Sequence, residues 1–307
     1  MTLQQLEYVV ALDKCRHFVK AADSCKVSQS TLSTMIRKLE EELDTFIFDR
    51  DAHPIKPTPL GEKIISHAKI ILYNVEQIQE VASLEKNLLE GEINLGVIPT
   101  VAPYLIPPFF EEIQKNSPFV FLNVSEMKTC DLLSKLSKAE LDLAIMATPS
   151  LQKEFLVIPL YYEKFYAYVS KQDPFYEKKE LVSRSLSAER LWTLSEGNCM
   201  REQIFKFCNH SQYSARYETG SIDTLVKIVD RNGGYTIIPE LHLNMLSLEQ
   251  KLNIRPIKEP EVAREISILI RKDFVRERIL NEIVNSIKKV IPEEMLDNRL
   301  KKFAITL

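Results

Sequence analysis

Ser28-Gln29-Ser30-Thr31-Leu32-Ser33-Thr34-Met35-Ile36-Arg37-Lys38-Leu39-Glu40-Glu41-Glu42-Leu43 decides how the first sixty residues fold. Leu32, Ile36, Leu39 and Leu43 are separated by 4, 3 and 4 residues, the spacing of one helical face. Ser28 precedes them as a good N-cap residue. Upstream, Leu3, Leu6, Val9 and Val10 form an apolar stripe, and Phe18, Ala21 and Ala22 mark a second short helix. Downstream, residues 46–50 are strand-like and end in a turn punctuated by Pro54, Pro57 and Pro59. Three short helices and a small hairpin predict a winged helix-turn-helix.

Residues 60–89 lack proline, and lack glycine after Gly61. Ile64, Ala68, Ile71, Val75, Ile78 and Ala82 alternate by 4 and 3. This heptad seam predicts a long helix that seeks a partner helix, ending at Gly91. Beyond it the pattern alternates. Strands are expected at 93–98, 119–124 and 141–146, with helices at 105–114 and 129–138 between them. This βαβαβ order predicts a mostly parallel sheet. Further strands are expected at 156–159, 165–169, 235–238 and 265–270, and helices at 225–230 and 278–290.

The chain has 307 residues, enough for two or three domains, with 40 basic and 43 acidic side chains. That balance excludes a uniformly basic nucleic-acid coat but permits a local DNA-binding patch. Five cysteines do not make a disulfide scaffold. No signal peptide is recognised, and no apolar run approaches the roughly 20 residues of a membrane span. A reducing cytoplasm is the expected compartment.

On the helix from Ser28, Gln29, Ser33 and Arg37 share the face opposite the apolar one. Gln pairs with adenine, Arg with guanine and Ser with either. Ser30 lies beside them, and Thr31, Thr34, Lys38 and Arg50 are candidates for phosphate contacts. The acidic run Glu40-Glu41-Glu42 is expected to point away from DNA.

Phe18-x-x-Ala21-Ala22, Ser28-Gln29-Ser30-x-Leu32-Ser33, Ile36-x-x-Leu39-Glu40-x-x-Leu43, Phe48-x-Arg50 and Thr58-x-x-Gly61 resemble the LysR-type transcriptional regulators. Cys25 and Asp44 depart from the usual Leu and Gly. The resemblance implies a winged helix-turn-helix at 1–58, a dimerisation helix at 59–90 and a sensing domain at 91–307. That domain would have two α/β subdomains like those of a periplasmic binding protein, one at about 91–162 and 266–307, the other at about 163–265. Promoter DNA, a second copy of the chain (as a dimer or a tetramer) and RNA polymerase are the implied partners.

Cys199 and Cys208 lie nine residues apart in a helix-forming segment. Asn198 is positioned to cap it, which puts Cys199 in the first turn. The helix terminus and Arg201 would then favour an accessible thiolate. On a continuous helix nine residues rise about 13 Å, whereas a disulfide needs Cα atoms within about 7 Å. The two cysteines can bridge only if the segment unwinds, as a redox switch requires.

Cys199-x-Arg201-Glu202-Gln203 with Phe207-Cys208, and residues 98–107 (Ile-Pro-Thr-Val-Ala-Pro-Tyr-Leu-Ile-Pro), resemble the OxyR-type hydrogen-peroxide sensors within the LysR family. The resemblance implies a peroxidatic Cys199, a resolving Cys208, and peroxide held by Thr100 and Thr129. Arg264 matches a basic residue near that pocket, and Arg201 or Arg264 would stabilise developing negative charge. Asn198 replaces the usual His, and Glu202 a usual Asp. No cofactor is expected. Cys15 and Cys25 read as packing residues, Cys130 adjoins Thr129 with no direct redox role expected, and the scattered histidines show no zinc-type spacing. Two competing functions use the same residues: a LysR regulator that binds a small organic ligand at Thr100 and Thr129, and a thiol peroxidase. The DNA-reading head argues against the peroxidase.

Overall fold

Thr2 opens the chain's first helix, α1 (Leu3–Cys15), with a capping box in which Thr2 and Gln5 satisfy each other's backbone N–H groups. Helix α2 (Phe18–Ser24) follows, and α3 (Gln29–Glu42) starts at Ser28, whose Oγ accepts from Thr31 N at 3.1 Å. The structure, a computed structural model, describes residues 1–83, 89–148, 154–207, 217, 219–258, 261–298 and 301. Two compact units are present, Met1–Asn87 with Ser137–Glu140, and Leu88–Leu136 with Leu141–Leu307.

In the first unit, Leu6, Val9, Leu12, Ala21, Leu32, Ile36 and Leu39 form a buried core. Leu3, expected in the stripe, is exposed, and Tyr8 and Leu12 are buried instead. The wing is shorter than the strand-like run 46–50. Only β1 (Phe48–Asp49) and β2 (Lys56–Pro57) pair, antiparallel. The reason is Glu40. Its buried Oε1 takes the N–H of Ile47 at 2.9 Å and of Phe48 at 3.2 Å, in place of a longer ladder. Asp44, where LysR-type chains usually carry Gly, has φ 48°, a left-handed conformation that Asp tolerates better than most residues.

Helix α4 (Pro59–Ser83) completes the unit. Ile65, Ala68 and Tyr73 are buried, while the seam residues Ile71 and Ile78 are exposed. The expected helix end at Gly91 is corrected: Gly91 begins a strand, with φ 130°. Gly61 is indispensable. A Cβ there would sit 1.9 Å from the Ile47 carbonyl oxygen, and Thr58 Oγ1 ties the same corner by donating to Phe46 O and accepting from Gly61 N. Gly61→Ala is expected to destabilise this unit by about 3 kcal/mol, read as an early phase in urea unfolding followed by circular dichroism. An unchanged profile contradicts that packing.

The second unit opens with β3 (Gly91–Val97), α5 (Ala102–Asn116), β4 (Val120–Glu126), α6 (Thr129–Ser137) and β5 (Leu143–Ala147). Their strands run parallel in the order β4-β3-β5. Next comes β6 (Phe155–Val169), one continuous strand where the sequence suggested two. Then follow β7 (Leu181–Val182), β8 (Leu191–Trp192), α7 (Cys199–Phe207), α8 (Ile222–Asn232), β9 (Tyr235–Pro239), α9 (Leu248–Lys251), β10 (Ile254–Lys258), β11 (Ala263–Arg271) and α10 (Glu277–Val290).

The sheet is mixed rather than mostly parallel. β11 returns late and lies antiparallel to both β5 and β6. Beyond Lys164, β6 continues and pairs antiparallel with β9 and β10. Two hydrophobic cores result. One gathers Leu95, Phe109, Ile145 and Ile268; the other gathers Phe165, Tyr168, Val226 and Ile237. The unit is therefore two α/β halves joined along β6, with β11 beginning at Ala263, where β6 passes from one half to the other.

Candidate functional site

The crossing of β6 and β11 puts Arg264 directly opposite Glu163 in the antiparallel register. Both side chains are fully buried. Arg264 Nε donates to Glu163 Oε1 at 2.7 Å, and Nη2 lies 2.6 Å from the same oxygen. Nη1 donates to Thr100 Oγ1 at 2.9 Å, and Nη2 to Thr100 O at 2.8 Å. Thr100 follows β3 in the first half and is itself buried. A guanidinium has five N–H donors. Four are committed by these contacts, which leaves one N–H on Nη1.

Cys199 starts α7 and is 4% exposed. Its side chain belongs to the first core, while the next residue, Met200, belongs to the second. One peptide bond at the head of α7 therefore links the two halves. Burial pushes the Cys199 thiol up. Arg264, the Thr129 hydroxyl, and the N–H groups of Ala147 and Met200 pull the other way and do not prevail. This corrects the expected accessible, low-pKa thiolate, because enclosure outweighs the cation and the helix terminus. Thr129 Oγ1 is buried beside the thiol and has no other hydrogen-bond partner.

Two expected helpers act elsewhere. The Asn198 side chain does not cap α7. Its Nδ2 donates to Ser195 O at 3.0 Å and Ser195 Oγ at 3.1 Å, and the Asn198 backbone carbonyl receives Arg201 N instead. The Arg201 guanidinium reaches the Leu194 carbonyl at 3.4 Å and Glu196 at 3.7 Å, and lies over the Phe205 ring. Arg264 is the cation that acts on the thiol. Cys208 lies outside the described residues. Thus Cys199, Thr100, Thr129 and Arg264 come together, and Arg201 stands on the outer side of the same turn.

Three partners escaped sequence reading: Glu163, Tyr161 and the Tyr104–His242 pair. Glu163 interrupts the apolar run Leu160-Tyr161-Tyr162. A charge in such a run signals a buried partner, but nothing in the sequence names Arg264 as that partner. Tyr161 is fully buried near Glu163, and Tyr104 Oη lies 2.7 Å from His242 Nδ1.

In the first unit, Gln29, Ser30, Thr31, Arg37 and Lys38 are exposed along α3, and Ser33 and Thr34 are partly so. Ser28, Ser30 and Thr31 hydroxyls lie within 2.9 Å in a cap cluster. Arg50 is bound to Glu40 at 2.7 Å, so it is less free for phosphate than its sequence suggested.

Residues 3–62 match the family described as bacterial regulatory helix-turn-helix protein, lysR family, and residues 86–291 match the LysR substrate binding domain. The chain belongs to the LysR family. Within it, this LysR protein is of the OxyR type. It is 32% identical over 273 residues to the DNA-binding transcriptional dual regulator OxyR of Escherichia coli K12, covering 88% of this chain and 90% of that one. It is 31% identical over 297 residues to a hydrogen peroxide-inducible genes activator of Haemophilus influenzae, covering 95% and 99%. A full-length OxyR Cys-to-Asp variant from Pseudomonas aeruginosa superposes with a TM-score of 0.81 at 32% identity, covering 94% of this chain and 98% of that one.

Two outcomes follow from the site's electrostatics. Because the resting thiol is protonated, its reaction with methyl methanethiosulfonate should rise about tenfold per pH unit between about pH 6 and pH 8. A rate independent of pH over that range contradicts a protonated thiol. Arg264→Met leaves Glu163 buried without its cation and should cost about 3–5 kcal/mol in urea unfolding; a cost below about 1 kcal/mol contradicts the buried pair.

Proposed function

We propose that this LysR-family protein is a transcription regulator that senses hydrogen peroxide through Cys199. The observation that carries the reading is the burial of the Cys199 thiol against the Thr129 hydroxyl and within the field of Arg264, with Thr100 held on the same guanidinium. The space around a buried thiol admits a small oxidant more readily than a bulky one. Two hydroxyls and one uncommitted guanidinium N–H are there to hold peroxide. Thr100 Oγ1 already accepts from Arg264, so its own proton is available to a peroxide oxygen.

The Cys199 thiolate attacks one peroxide oxygen. An S–O bond forms, the O–O bond breaks, and the departing hydroxide takes up a proton and leaves as water. Arg264 and the hydroxyls stabilise the charge that builds on the departing oxygen. The sulfenic acid then condenses with the Cys208 thiol; the S–S bond forms and water leaves. Because α7 begins across both cores, unwinding it to bring Cys208 to Cys199 removes a contact between the halves. The same event changes how two copies, paired through the seam of α4 that bears exposed Ile71 and Ile78, present their α3 helices to promoter DNA. We place the protein in the cytoplasm, as a regulator and not a turnover enzyme; tetramer formation and contact with RNA polymerase belong to the same proposal.

An organic ligand at Thr100 is the disfavoured reading, because Thr100 and Cys199 are both almost fully enclosed. The test is promoter footprinting of the full chain with and without peroxide. Wild type should change its footprint, Cys199→Ser should stay in the reduced pattern, and Cys208→Ser should form a sulfenic acid without the full change. A Cys199→Ser protein that responds like wild type overturns the proposal.

A further inference from the structure

We propose that Glu163 sets how readily Cys199 ionises, because its carboxylate and the Cys199 sulfur compete for one buried cation, Arg264. The inference deepens the peroxide-sensing reading and rests on it. Glu163 is a positioning residue: it acts on the thiol through Arg264 and touches no reacting atom.

The geometry supplies one positive charge and two candidate anions. Arg264 is fully enclosed, and Glu163 Oε1 takes both its Nε and Nη2. Burial pushes the Glu163 carboxyl up and Arg264 pulls it down; with Glu163 ionised the pair is neutral. Ionising Cys199 adds a negative charge to a region whose single cation is already balanced. The other groups facing Cys199 are neutral donors: the Thr129 hydroxyl from α6, and the N–H groups of Ala147 on β5 and Met200 on α7. Those facing Glu163 are the Leu241 N–H, the Glu240 carboxylate, and the hydroxyls of Tyr104 on α5 and Tyr161 on β6, both kept protonated by burial. The surplus charge is relieved when Glu163 takes up a proton as Cys199 loses one. The two sites then titrate as a coupled pair, and neither midpoint belongs to one residue alone.

This arrangement matters because Asn198 cannot titrate and its amide is committed to Ser195. The charge balance that governs the thiol therefore lies on the opposite side of the site, on β6. Burial is what pushes the thiol up; Glu163 adds to it by balancing the charge of Arg264, and so raises the peroxide dose at which the protein responds.

The test measures the pH dependence of Cys199 oxidation by peroxide in the full chain carrying Cys208→Ser, trapping the sulfenic acid with dimedone. Adding Glu163→Gln frees the full charge of Arg264 for the thiolate. The midpoint should fall by about one pH unit or more, so that oxidation below the original midpoint is about tenfold faster. Glu163→Asp keeps the charge and should keep the midpoint. A midpoint that is unmoved or raised in Glu163→Gln, with slower oxidation, overturns the proposal and leaves Glu163 a mere clamp on Arg264.

Should Glu163→Gln fail to fold, carboxyl carbon NMR of glutamate-labelled wild type decides the matter, with the Glu163 signal assigned by its loss in Glu163→Asp. That signal should show a second inflection at the Cys199 midpoint, absent in Cys199→Ser. Its presence in both proteins, or in neither, overturns the coupling. If peroxide leaves Cys199 untouched at every pH, the sensor reading itself fails, and the carboxyl titration still decides the coupling separately.

Discussion

A guanidinium with no exposed surface must find every partner inside the protein. Arg264 finds partners for four of its five N–H groups, and it joins three segments that are far apart in sequence: β6 through Glu163, the turn after β3 through Thr100, and the head of α7 through the charge it offers Cys199. The desolvation of such a pair is costly, and it is retained only where its geometry is good and its hydrogen bonds are met. The register of β11 against β6 meets the geometric part of that condition by placing Arg264 opposite Glu163, although Glu163 Oε2 is left without a hydrogen-bond partner among the described residues. The rest of the site depends on this pairing, because it sets where Arg264, the cation that acts on the thiol among the described residues, can stand.

The second constraint is the position of α7. Cys199 packs in one core and Met200 in the other, so the helix is pinned where the halves meet. A change in the bonding of the Cys199 sulfur is therefore not a local event. Converting it to a sulfenic acid adds an oxygen to a close-packed interior, and close-packed interiors transmit such strain rather than absorb it. The proposed bridge to Cys208, nine residues on, asks more of the packing, because it brings two Cα atoms within about 7 Å.

Much of the fold was legible in the sequence because helical spacing and strand alternation are local signals. The α3 stripe, the Ser28 cap and the order β3-α5-β4-α6-β5 are all of this kind. What could not be read depends on long-range pairing. The continuity of β6 is imposed by β11, more than a hundred residues later. The mixed sheet follows from the direction in which β11 returns. Glu40 looked like part of a solvated acidic run, yet it turns inward to satisfy the wing's backbone. At the site, Thr100, Thr129, Cys199 and Arg264 were named through resemblance. Glu163 was not, because a buried ion pair is recognised by its partner, and that partner lies 101 residues away. The sign of the Cys199 shift was also misread. A helix terminus and a nearby Arg are visible in sequence, whereas the degree of enclosure that outweighs them is not.

The central claim is that oxidation of Cys199 leads to a bond that the helical state forbids. Its most direct test is peptide mass mapping of the reduced full chain after a brief, near-stoichiometric dose of hydrogen peroxide. A Cys199–Cys208 disulfide that forms within seconds and is reversed by a thiol reductant is the predicted result. Both thiols remaining free in a protein that is still folded would contradict it.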